Sequence, residues 1–182
     1  MVNKIQAVTH FLTGILIQIL CFLYLPIFFA FMFTIIFGFL SHFIVDSFAK
    51  VTYHTPEPLK EDRFWVSWAI ISNGITIIFV VWVILIGQFW FFFWGGFFSI
   101  LVDIYDWGIL RPIQNKGKNS NDESYWKQGY FFHKLIDKIR EEVPPFSWLP
   151  NWNYERKGVI VELAIIVIFW ILVIILLPFV SI

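Results

Sequence analysis

Apolar residues run almost unbroken through five stretches of this chain, residues 5 to 24, 27 to 49, 65 to 86, 89 to 107 and 159 to 180, and polar residues gather between them. Each stretch has about the 20 residues that a helix needs to cross roughly 30 Å of hydrocarbon. The pattern predicts an all-α integral membrane helical bundle of about five transmembrane helices, a single membrane domain over residues 1 to 182. Leu25-Pro26 and Gly87-Gln88 leave little chain between neighbouring stretches, which predicts two tight helical hairpins. The first stretch is too long for a cleaved leader and no small-residue cleavage pattern follows it, so a retained helix is expected.

The sizeable polar region is the segment from 108 to 158. Within it, Asn115 to Glu123 offers nothing to bury. From Tyr125 to Val143, the apolar residues Trp126, Tyr130, Phe131, Leu135, Ile136, Ile139 and Val143 recur at helical spacing, with Lys127, Lys134, Asp137, Lys138 and Glu141 between them. That spacing predicts an amphipathic helix. Pro144 and Pro145 cannot continue it, and Phe146 and Trp148 suit the lipid headgroup zone, so the element is expected to lie along the membrane surface and cap the bundle.

Charge gives this picture a direction. All 13 Lys and Arg fall at the amino terminus, in the 50 to 64 loop or in the 108 to 158 segment. An odd number of spans puts those parts on one face, which the positive-inside bias identifies as cytoplasmic; the carboxyl terminus is then on the opposite side of the cell membrane. A composition of 59% hydrophobic and 14% charged residues excludes an ordinary soluble domain, where about a quarter of residues are charged. The net charge of zero gives no reason to expect nucleic acid, and membrane lipids are the expected surroundings. The single Cys21 excludes a disulfide within the chain and a Cys-based metal cluster. An internal echo relates FGFLSHFIVD, ending at Asp46, to WGGFFSILVD, ending at Asp103, with Gly38 matching Gly95 and Val45 matching Val102; it hints at two related hairpins.

The candidate chemistry lies at one depth. His42 and Asp46 stand one helical turn apart on the same face, roughly 12 Å and 6 Å inside the boundary marked by Lys50. His10 falls at a similar depth from Lys4, Asp103 and Asp106 close the fourth stretch, and Glu162 is about one turn into the fifth. Ionisable groups within a membrane cost at least about 2.5 kcal/mol each and normally face the bundle interior. Imidazoles and carboxylates without thiolates suit a divalent ion, with Zn or Mn foremost. The candidate metal ligands are His10, His42 and Asp46, together with His54 and His133 if these fold back from the polar segments. Asp103 and Asp106 are the candidate catalytic residues, as general base or as completion of the shell. Plainer roles stand beside these: an interhelical pair for His42 and Asp46, an interfacial helix end for the two later aspartates, and a partner for Lys157 in the case of Glu162.

The run GFLSHFIVDSFAKVTYHTPEP resembles the G-x-L-S-H-x-x-x-D segment of the membrane-bound metal-dependent hydrolases of bacteria and archaea. VTHFLTG is similar to that family's early His segment, GGFFSILVDIYDW to its Gly-rich aspartate segment, and FFHKL to a later His. The likeness covers roughly the first 110 residues, with Asp-Ile-Tyr-Asp where the family more often carries Asp-x-Asp-His. It implies a metal-dependent hydrolase, and under that expectation a phosphoester or lipid substrate would enter from the cytoplasmic leaflet. The competing expectation is a non-enzymatic structural or accessory subunit, whose 23 Phe residues pack against a membrane-protein partner or a second copy of the chain. Proton or ion translocation is weaker, because the outer halves of the stretches lack ionisable groups for a relay.

Overall fold

The computed structural model describes residues 7–53, 63–85, 89–118, 130–152 and 155–180. The regular elements among them are all helical: α1 (Ala7–Tyr24), α2 (Ile27–Ser47), α3 (Arg63–Leu85), α4 (Phe89–Asp103), α5 (Phe131–Glu142) and α6 (Lys157–Leu176), joined by shorter turns. Three helices are long and apolar enough to cross a membrane, Ala7–Tyr24, Ile27–Ser47 and Lys157–Phe179, so the chain is an integral membrane protein. Helix α3 is apolar over Val66–Trp82, and α4 is shorter at 15 residues.

The turn between α1 and α2 forms as the sequence predicts. Leu25 N–H donates to the Cys21 carbonyl at 2.9 Å, and the Pro26 carbonyl accepts from Ala30 N–H at 2.9 Å. Proline suits this start because it has no N–H to leave unsatisfied. The Gly87-Gln88 turn lies outside the described residues.

Helix α1 is the centre of the bundle and touches α2, α3, α4 and α6. On one side Val8, Leu12, Ile15 and Ile19 form a buried cluster with Tyr53, with Trp68 and Phe79 of α3, and with Ile166 and Val173 of α6. On the other side glycines bring the backbones together. A Cβ at Gly14 would collide with the Gly95 carbonyl, and one at Gly95 would lie 2.8 Å from Gln18 Cβ. A Cβ at Gly38 of α2 would lie 3.3 Å from Phe98 Cβ and 3.4 Å from the Gly95 carbonyl oxygen. Hydrocarbon offers no hydrophobic drive between helices, so close backbone contact of this kind supplies much of the attraction.

Helix α4 does not stop at Asp103. The backbone widens into a π-helical stretch, Ile104–Leu110, and closes with the turn Arg111–Gln114. Helix α5 lies within the predicted amphipathic stretch but runs only from Phe131 to Glu142, and residues 125 to 129 are outside the described residues. Its end follows from Pro144, because the preceding Val143 is forced out of the helical region (φ −98°, ψ 121°). His133, Ile136 and Arg140 face inward toward α2, while Phe131, Lys134, Leu135 and Lys138 are exposed. Gly158 seats α6 against the end of α2, where a Cβ would lie 2.6 Å from the Tyr53 amide nitrogen.

Candidate metal centre

One end of the bundle collects the start of α1, the ends of α2 and α4, and the start of α5. His10, His42, Asp46, Asp106 and His133 are fully buried there. Asp103 is the exception in this group, with its side chain 15% exposed.

The distances among these groups resemble the edges of a coordination shell. His42 Nε2 is 3.3 Å from Asp46 Oδ2, His133 Nε2 is 3.5 Å from the same oxygen, and His133 Nε2 is 3.3 Å from Asp103 Oδ1. A tetrahedral ion with bonds of about 2.0 to 2.1 Å sets its donor atoms about 3.3 Å apart. The donor atoms of His42, Asp46 and His133 all lie within 4.8 Å of one another, and so do those of His10, His42 and Asp103. These buried groups can therefore hold a metal ion.

Each prospective ligand is oriented from behind. His42 Nδ1 lies 2.7 Å from the Ser99 carbonyl oxygen, which can only accept, so this nitrogen carries the hydrogen. In the neutral ring Nε2 then presents a lone pair to the Asp46 carboxylate. Two acceptors at that distance need a cation or a proton between them. His10 Nε2 donates to the other Asp46 oxygen, Oδ1, at 3.0 Å, and its ring stacks on that of His42 at 4.0 Å. Ser99 ties these helices together by donating its hydroxyl to the His10 carbonyl at 2.7 Å. Backing of a ligand imidazole by a carbonyl or carboxylate is the usual arrangement at metal sites, where it fixes the tautomer.

Asp106 plays such a backing role for His133. Its Oδ2 accepts from His133 Nδ1 at 2.7 Å and from the His133 amide at 2.9 Å, and its oxygens also accept from the amides of Phe131 at 3.2 Å and Phe132 at 3.0 Å. Those amides are the open first turn of α5, whose own N-cap residue Tyr130 makes no side-chain cap. A carboxylate from the π-helical stretch thus caps α5 and orients its imidazole in one contact. At the far end of α5, Arg140 Nη1 donates to the Asp46 carbonyl at 3.4 Å, and its Nη2 pairs with Asp137.

Burial disfavours a charged His133, but the hydrogen bonds to Asp103, Asp106 and Asp46 outweigh it and push the imidazole up from 6.5 to about 11. A proton on Nε2 would be shared with Asp46 Oδ2 and Asp103 Oδ1, which lie 3.5 and 3.3 Å from it.

The structure brings together His10, His42, Asp46, His133, Asp103 and Asp106. His54 lies outside the described residues. Glu162 is fully buried, and Lys157 pairs instead with Glu155 at 2.7 Å, so the plainer pairing of Lys157 with Glu162 gives way to that contact. Sequence reasoning missed the Ser99 carbonyl, the capping contact of Asp106 and the inward turn of Arg140. The absence of Ser, Thr, Asn or Asp at position 130 was the available signal for a cap supplied from elsewhere.

Fold and site together define a helical membrane protein with a buried cluster of imidazoles and carboxylates able to take a metal ion. The chain matches none of the protein-family models, curated proteins or solved structures with which it was compared.

Proposed function

We propose that this protein is a membrane-embedded metal-dependent hydrolase that acts on a phosphoester, with a lipid as its substrate, at the cytoplasmic leaflet. The supporting observation is the set of edges near 3.3 Å that joins His42 Nε2, Asp46 Oδ2, His133 Nε2 and Asp103 Oδ1. In this reading His42, Asp46 and His133 would hold a zinc or manganese ion, with Asp103 either completing the shell or acting as general base. His10 fixes Asp46, and Asp106 fixes His133. The ion supplies Lewis acidity and lowers the pKa of a bound water. Asp103 is the site carboxylate nearest to open surface, which would suit it, where it does not ligate the ion, to take the proton of a water that attacks phosphorus and return it to the alkoxide that leaves as the ester P–O bond breaks. The positive-inside bias of the 13 Lys and Arg supports, in this reading, a cytoplasmic placement of this end of the bundle and of the amino terminus, with the carboxyl terminus opposite.

Plasma mass spectrometry of the purified protein tests the reading. About one transition metal per chain is expected, lost in the His42→Ala, Asp46→Ala double variant, with phosphoester turnover that follows occupancy. Absence of metal from wild type after reconstitution would overturn it.

One observation favours a non-enzymatic subunit. Structural metal sites are closed whereas catalytic ones keep an open position, and here His10, His42, Asp46 and His133 are all fully buried. Full metal occupancy with no turnover of any phosphoester would select that role.

A further inference from the structure

An apolar crease of about 310 Å³ runs between α2 and α4, lined by Ile35, Ile36, Phe39 and Leu40 of α2 and by Phe98 and Leu101 of α4. Its floor is sealed by the close approach at Gly38, where even a methyl group would press on Phe98. Ile35, Ile36 and Leu40 form an exposed rim on a helix that is long and apolar enough to cross the membrane. The medium available to that rim is therefore lipid hydrocarbon.

The crease ends within about one helical turn of the metal-centre residues along α2 and α4. Phe39 precedes His42 by one turn, Phe98 adjoins the Ser99 carbonyl that orients His42, and Leu101 precedes Asp103 by two residues. At this end the Phe132 ring stands edge-on to Phe39 at 5.7 Å, Phe43 at 5.9 Å and Tyr105 at 5.4 Å. Phe132 is next to His133, so an aromatic plug from α5 separates the crease from the candidate ligands.

We propose that this crease holds one hydrocarbon chain of a membrane phospholipid, with Phe132 as the wall between that chain and the buried ligands. The choice of a phospholipid rests on the hydrolase reading. A chain seated there brings the glycerol and phosphate to the partly open Asp103 side, where cleavage would occur, and leaves the rest of the lipid in the leaflet.

The test uses the full chain in nanodiscs containing phosphatidic acid with a diazirine in its acyl chain. After photolysis, adducts are mapped by peptide mass spectrometry. Adducts concentrate on Phe39, Phe98 and Leu101 relative to the exposed Ile171 and Ile174 of α6, and the crease adducts are lost in Ile36→Trp, whose side chain fills the groove from its exposed rim. Equal labelling of crease and α6, or crease labelling that survives Ile36→Trp, would overturn the proposal. The same samples are assayed on a short, water-soluble phosphoester. Crease labelling without turnover would keep the chain site and remove the hydrolase. Turnover without selective labelling would do the reverse.

Discussion

Asp106 sits behind the candidate ligands, where it would support a metal ion without touching it. Its oxygens are engaged by His133 Nδ1 and by the amides of Phe131, Phe132 and His133, which leaves it a positioning residue rather than a base. Loss of such backing contacts typically lowers metal affinity by about 10 to 100-fold. Asp106→Asn keeps the size but can present only one acceptor oxygen and no charge, so zinc affinity should fall by that factor while the protein still inserts. A chelator-competition titration measures this, and an unchanged affinity would show that His133 needs no help from Asp106. At this scale the sequence was partly legible. His42 and Asp46 stand out because a helical turn separates them inside an apolar run, whereas Ser99 carries no side-chain signal for a role its backbone carbonyl performs.

Among the elements, α5 is the one whose placement depends on chemistry rather than on apolar burial alone. It reaches the bundle through Ile136, through the Asp106 cap and through Arg140, with His133 as its contribution to the centre. In the metal-free protein its docking should depend on pH. His133 is raised from 6.5 to about 11 on folding, so its stabilising contribution is complete below 6.5 and is lost as pH rises through about 11. The thermal midpoint of chelator-treated protein should therefore fall across that window relative to His133→Gln, which has no such proton to lose. Metal loading should flatten the slope, because the ion replaces the proton between the same carboxylates. Parallel slopes for wild type and His133→Gln would refute the coupling. The helical spacing around positions 131 to 139 reveals the amphipathic helix, but periodicity does not say which polar residue turns inward. His133 and Arg140 share the buried face with Ile136, while Lys134 and Lys138 stay outside. The matched positions of α2 and α4 also meet in the fold. Gly38 approaches Gly95 where the helices are closest, and Asp46 and Asp103, each eight residues on, both reach His133.

For the whole molecule, the gathering of every described imidazole and most spanning-helix carboxylates at one end follows from the energetics of the bilayer. Each such group is tolerable only near an interface and facing inward, where the others satisfy it. Which side of the membrane the segment after α4 faces depends on whether α4 crosses. The α-helical part alone, 15 residues, covers about 22 Å, short of the roughly 30 Å core. The continuous π-helical stretch Ile104–Leu110 supplies the missing length, so a crossing is expected, with Asp103 and Asp106 near the interface at its end. Five crossings would then separate the two termini, with α6 alone between the basic segment and the carboxyl terminus. Single cysteines at Ser120 and Ser181, introduced after Cys21→Ala, distinguish the cases by reaction with an impermeant maleimide. Ser120→Cys should label only in inverted vesicles, and Ser181→Cys only in right-side-out ones. The reverse pattern, Ser120→Cys labelled only in right-side-out vesicles and Ser181→Cys only in inverted ones, would mean an even number of crossings and a re-entrant α4. The centre would then sit at the floor of a folded-back hairpin, open to water along α4, and the lipid chain would lose the membrane-facing crease on which its approach depends.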